Sequence, residues 1–371
     1  MARHRIQLGG LVLLVTCALA AAAPATRGAA ADTIPTRLSD VEFWRLSERL
    51  SEPDGAFRSD NLLSNELRYP EVIPDLIARV RPGGIYLGVG PEQNFNYIVA
   101  LRPRMAFITD VRRGNLHVHL MYKALFELSA DRAEFVSRLF TKPRPAGLTA
   151  ASSATDVMNA YWEVTSSPKA AYDRNVGDIR RLLTSAPHRI PLSEEDLSGI
   201  EGVYYFFYWF GPSITYSSTS NNGFGRGNSS VTYADLMAAV DPSGQSRSYL
   251  ASEEAFRFMQ DLQRRNMVVP VVGNFGGPRA LRAVGQYVRD HGAVISAFYL
   301  SNVEQYLRQD SIWDRFCTNV ASMPLDEHST FIRSQTGGVR GFGGGFTNFP
   351  GMMQVETSRC ASPAAAGADG R

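Results

Sequence analysis

Lysine is nearly absent from this chain. It stands only at Lys123, Lys142 and Lys169, so arginine carries almost all of the positive charge. That is either an anion-binding trait or a compositional habit of the coding genome. The formal net charge is +2 and the mature chain has no basic run, so nothing marks nucleic acid as its main partner. Cysteine is scarce too. Cys17, Cys317 and Cys360 make no CxxC pair, which removes zinc ribbons and thioredoxin-like sites. HExxH, GxSxG, a P-loop and a carboxylate pair at an interpretable spacing are all missing, so hydrolase readings have no motif to stand on. His117 and His119 lie two apart, a spacing that splits them between different faces of a helix, and no metal is predicted. The apolar run Leu8–Leu19 is too short to span a bilayer comfortably.

What is present begins with that run. Arg3, His4 and Arg5 precede it, and small residues follow it. Ala18-Leu19-Ala20 and Ala29-Ala30-Ala31 each fit a cleavage pattern, so residues 1–31 read as a secretory signal peptide cut after Ala20 or Ala31. Leu14-Val-Thr-Cys17 departs from a lipobox at Thr16. The expectation is an exported protein, periplasmic or extracellular, with no stable membrane insertion after cleavage; an uncleaved anchor is the alternative. Cys317 and Cys360 then remain, either as a disulfide that ties down the C-terminal segment or as two free thiols.

The remaining composition, 44% hydrophobic and 20% charged over 371 residues, is that of a globular chain. Ser39-Asp-Val-Glu42 is a capping box opening a helix through about Leu50, and Glu52-Pro-Asp-Gly55 is turn chemistry. The pattern divides into an N-terminal helical segment (32–82), an α/β half (83–142), a mainly helical stretch (143–250) with a polar loop at 216–230, a second α/β half (251–335), and a Gly-rich segment and tail (336–371). In the first half a strand, Ile85–Leu87, leads through the turn YLGVGPEQNFNY (Tyr86–Tyr97) into a helix. A second strand, Met105–Thr109, ends at Asp110. In the second half Met267–Gly273 and Ala293–Leu300 read as strands, with Pro270 hinting at an edge or a bulge. The aromatic run Gly202–Phe210 is either core or a ligand platform.

Gly88 and Gly90 lack a Cβ and let backbone amides approach a ligand at a helix start. Asp110 lies 20 residues after Gly90, at the tip of the next strand, where a Rossmann-type domain holds a ribose. The fold class expected is α/β, Rossmann-like, with a mostly parallel sheet, helices on both faces and a helical insertion. Gln93 stands where the third glycine of the dinucleotide pattern would fall, and Glu92 beside it would repel a pyrophosphate. That disfavours NAD and FAD. It suits a cationic cofactor without phosphate, S-adenosylmethionine, unless Glu92 only complements the helix dipole. Asn94 joins Gly88, Gly90, Glu92 and Asp110 as a candidate cofactor residue. Asn302, Glu304 and Arg112 are candidates for positioning an acceptor, with Asn274 and Arg113 near the same strand ends.

The runs Tyr86–Phe140, Phe57–Glu66 and Leu262–Tyr306 resemble a family of uncharacterised bacterial proteins similar in fold to class I S-adenosylmethionine-dependent methyltransferases. The resemblance implies a cofactor cradle at Gly88, Gly90 and Asp110. Two departures stand against it. Tyr86 replaces the usual acidic residue before the first glycine, and Gly273-Asn-Phe-Gly-Gly277 stands where amino methyltransferases carry Asn/Asp-Pro-Pro-Tyr/Phe. Two functions are therefore expected as alternatives: methyl transfer to an unknown acceptor, or an exported, non-catalytic protein that keeps the fold and binds a small molecule or a partner.

Overall fold

The computed structural model describes residues 32–361 except 58, 217, 219–230 and 337–345. The signal-peptide reading, most of the polar loop, the glycine run and the last ten residues lie outside the described residues. Ser39 caps the first helix, α1 (Asp40–Leu50), through a capping box. Its Oγ accepts from the Glu42 amide, and the Glu42 carboxylate accepts from the Ser39 amide. A 3-10 turn at Tyr69–Val72 leads into α2 (Ile73–Arg79). Then β1 (Ile85–Gly88) enters the glycine turn, α3 (Gln93–Leu101) leaves it, and β2 (Met105–Asp110) follows.

Next come α4 (Arg113–Leu128), which ends at Ser129, and α5 (Arg132–Phe140), capped by Asp131. The helical stretch contains α6 (Ala154–Glu163), α7 (Lys169–Thr184), α8 (Glu194–Phe210) and α9 (Tyr233–Ala238). The aromatic run is the second half of α8. Tyr204 and Phe207 are fully buried, while Tyr205 and Trp209 face outward. The α/β alternation resumes with α10 (Glu253–Arg264), β3 (Val268–Val272), α11 (Ala280–Asp290) and β4 (Ile295–Ser301). The chain continues through α12 (Val303–Gln309), α13 (Trp313–Ala321), β5 (Thr330–Thr336), β6 (Phe346–Met352) and α14 (Met353–Thr357).

The strands form one six-stranded sheet in the order β3-β2-β1-β4-β5-β6. All pairs are parallel except β5 with β6. β1, β2 and β3 are buried at every position, so protein covers both faces of the sheet there. Pro270 lies in β3, an edge strand, as its missing N–H requires. β6 falls inside the segment expected to be Gly-rich and structureless. Pro350 and Gly351 mask it in the sequence, and it is again an edge, zipped antiparallel to β5 from Thr336↔Phe346 to Thr330↔Met352.

Two tethers hold distant segments to this frame. Cys317 of α13 is disulfide-bonded to Cys360, with Cα atoms 5.4 Å apart. Elsewhere, the buried His188 ring bridges Asp40 of α1 through Nδ1 and Glu127 of α4 through Nε2, and Glu127 also accepts from Lys123 at 2.6 Å. No helix among the described residues is long and apolar enough to cross a membrane.

Candidate functional site

In an open α/β sheet, ligands bind outside the carboxyl ends of the strands, where the strand order reverses. Here it reverses between β1 and β4. The segment from Ser51 to Glu66 runs across those ends like a strap. Over β3, the Glu52 amide donates to Val272 O at 2.7 Å, and its carboxylate accepts from the amides of Asn274, Arg279 and Ala280 at the start of α11. Beyond β2, the Gly55 amide donates to Val111 O at 2.8 Å, and Asp54 accepts from the Arg113 amide. Ser64 then meets α3, and Glu66 meets the end of β4. The sequence showed Glu52–Gly55 as a turn; nothing local revealed that the residues beyond it span the sheet.

The glycine turn is held by the chain's own side chains. A Cβ on Gly88 would come within 1.8 Å of Asn94 Oδ1, so the glycine makes room for Asn94. The Asn94 amide group donates to the carbonyls of Val89, Gly90 and Pro91 at 2.7–3.2 Å, and Tyr86 OH donates to its Oδ1 at 3.0 Å. Gly90 adopts φ +73°, the left-handed region, and its carbonyl accepts from His119 Nε2 at 2.9 Å. Burial lowers the His119 pKa to about 4, so the ring is neutral and donates there. Tyr86, the departure from the methyltransferase pattern, is thus a structural partner of Asn94.

Behind the turn lie two buried carboxyl groups. Glu92, at the N-cap of α3, is fully buried; its Oε1 accepts from the Ser64 amide at 3.1 Å and its Oε2 has no hydrogen-bond partner. Burial pushes the Glu92 pKa up to about 8, with the nearby Glu66 adding to the rise. Glu66, 1% exposed, accepts from Ser301 Oγ and from Asn348 Nδ2 at 2.6 Å. Asn348, on β6, also donates to Tyr97 OH and Ser334 Oγ, and its own Oδ1 is buried without a partner. Tyr97 and Tyr299 pack with ring centroids 4.9 Å apart, and burial followed by the Glu66 charge raises the pKa of both.

The remaining candidates divide between this region and other contacts. Asp110 is buried and accepts from the Arg112 amide at 3.0 Å, with Arg112 Nε at 3.7 Å. Burial raises its pKa and Arg112 opposes the rise. Arg112 Nε and Nη2 are buried without hydrogen-bond partners, and Nη1 lies 3.9 Å from Asp60 of the strap. Asn274 accepts from the Gly276 amide, closing a turn. Asn302 starts α12 but makes no side-chain cap bond. Glu304 is ion-paired with Arg333 at 2.9 Å. Arg113 grips Asp196 of α8 through two nitrogens, and His117 joins the same carboxylate, whereas His119 faces the glycine turn, so the two histidines diverge as their spacing predicts. No group of three or more metal-ligating side chains occurs among the described residues.

The structure thus gathers Gly88, Gly90, Glu92 and Asn94 at one turn, sets Asp110 and Arg112 at the next strand end, and commits Glu304 elsewhere. Sequence reasoning missed Ser64, Glu66, Tyr97, Tyr299, Ser301 and Asn348, which come together from four different segments. Residues 62–177 and 226–346 match a family described as a domain of unknown function, DUF7790; the match spans more than half of the chain, which belongs to that family. No curated protein matches it.

Proposed function

We propose that this member of the DUF7790 family is an exported protein with a Rossmann-like sheet that binds a small polar ligand in the crevice between the ends of β1 and β4. One observation carries the reading: polar atoms buried at that crevice have no partner, notably Glu92 Oε2 and Asn348 Oδ1. Native interiors leave few such groups, and each calls for a water or a ligand. The Cys317–Cys360 disulfide supports export, because such bonds persist in oxidising compartments, and so does the layout of residues 3–20.

Methyl transfer is the second reading, favoured by the strand order, with Gly88, Gly90, Glu92, Asn94 and Asp110 around S-adenosylmethionine and Arg112, Asn302 and Glu304 beside an acceptor. The cofactor does not fit the turn as it stands. Asn94 fills the space beside Gly88, Arg112 engages Asp110, and the strap crosses the strand ends.

The test is native mass spectrometry of the processed chain purified from its own compartment, followed by calorimetry with S-adenosylmethionine and its demethylated product. A co-purifying small molecule and no response to either compound are expected. Micromolar S-adenosylmethionine binding that Asp110→Ala abolishes would replace this reading with the methyltransferase one. A folded protein that carries no small molecule would sink it.

A further inference from the structure

Two carboxyl groups share one buried region, and neither has an Arg, Lys or His ion-pair partner among the described residues. Glu66 is bonded by Ser301 and Asn348, and Glu92 by the Ser64 amide. Uncompensated carboxylates in a protein interior are strongly unfavourable. Every other titratable group facing them is neutral. Tyr69, Tyr122, Tyr233 and Tyr249 surround Glu92, and burial raises all four phenol pKa values. Around Glu66 the same holds for Tyr86, Tyr97 and Tyr299. With Glu92 ionised, two vacant acceptors lie beside the carboxyl groups, Glu92 Oε2 and Asn348 Oδ1, and both ends of the neighbouring Gln93 amide are vacant as well. Two carboxylates without a cation and two acceptors without a donor call for positive charge that carries N–H donors.

We propose that the crevice recognises a primary ammonium group, held between Glu66 and Glu92 with N–H donors directed at Glu92 Oε2 and Asn348 Oδ1. This rests on the ligand-binding reading above and names the chemistry of the ligand. A quaternary ammonium would satisfy the charge but leave both acceptors unpaired. Because the Glu92 carboxyl holds its proton up to about pH 8, uptake of a cation at neutral pH releases that proton to solvent.

The experiment is calorimetry on the processed chain with ethanolamine and with choline, the same scaffold lacking N–H donors, from pH 6.5 to 8.5 in buffers of different ionisation heat. Ethanolamine is expected to bind at least about tenfold tighter than choline, to release close to one proton at pH 7, and to tighten by up to about tenfold per pH unit below pH 8. Glu92→Gln is expected to weaken ethanolamine by at least about tenfold and to flatten that slope. If the variant fails to fold by circular dichroism, the wild-type proton release and pH slope decide. Equal affinity for the two probes, absence of proton release, or no amine binding by folded protein would overturn the inference. Recovery of a neutral or anionic molecule from the purified protein would overturn it too, while leaving the ligand-binding reading in place.

Discussion

Asn94 returns across the turn that precedes it, and its amide replaces what a ligand's polar atoms would otherwise supply to the carbonyls of residues 89–91. Removing it strands buried acceptors, so Asn94→Ala is expected to destabilise the fold by about 1–3 kcal/mol, read as a shift in the urea midpoint. Gly88→Ala places a methyl against Asn94 Oδ1, and also near the Tyr86 ring at 2.9 Å. A double-mutant cycle should therefore show Gly88→Ala less damaging in the Asn94→Ala background, by about 0.5–3 kcal/mol; strict additivity would refute the contact. The sequence made Gly88 legible as a position that admits no side chain. It did not show what takes up the space, because a glycine required by a neighbour and one required by a ligand look alike in a string of letters.

At the scale of elements, the bridge between α1 and α4 makes a pH-dependent clasp. Hydrogen bonding to Glu127 and then Asp40 raises the His188 pKa against the effect of burial. A raised histidine contributes stability fully below its unfolded value, near 6.5, and loses it as pH climbs through the folded value. Burial acts to raise the Glu127 pKa, but His188 and Lys123 outweigh it and hold the carboxyl low, so its contribution vanishes only in acid. The melting temperature should fall from pH 6.5 towards alkaline pH, and His188→Gln should flatten that fall; an unchanged slope in the variant would count against the clasp. The strap has its own anchor. Glu52→Ala removes the acceptor of three amides, and amide exchange should quicken across residues 51–66 and 274–280 while the central strands stay protected. Capping boxes and strand-turn-helix units were readable from spacing, since they are local. The strap and the crevice were not, because Glu66, Ser301 and Asn348 meet only after the sheet has formed.

For the molecule as a whole, the disulfide closes a separation of 43 residues that includes β5, β6 and α14. Constraining a loop of that length in the unfolded chain is worth about 4 kcal/mol on the chain-entropy model. Cys317→Ser should lower the urea midpoint accordingly, and reductant should do the same to the wild-type chain but not to the variant. The α/β alternation, the parallel core and the even number of cysteines after residue 31 were visible in the sequence. The final strand was hidden because Phe346–Met352 contains residues that propensity counts against strands.

Those same residues bear on how copies of the protein behave beside one another. Each outer strand of the sheet carries a proline, Pro270 at one end and Pro350 at the other, each breaking the row of N–H groups that an incoming strand would need. A sheet blunted at both margins resists growth by strand addition. For a chain that passes through an unfolded state each time it is made, that is protection against fibrous self-association rather than a blemish in two strands.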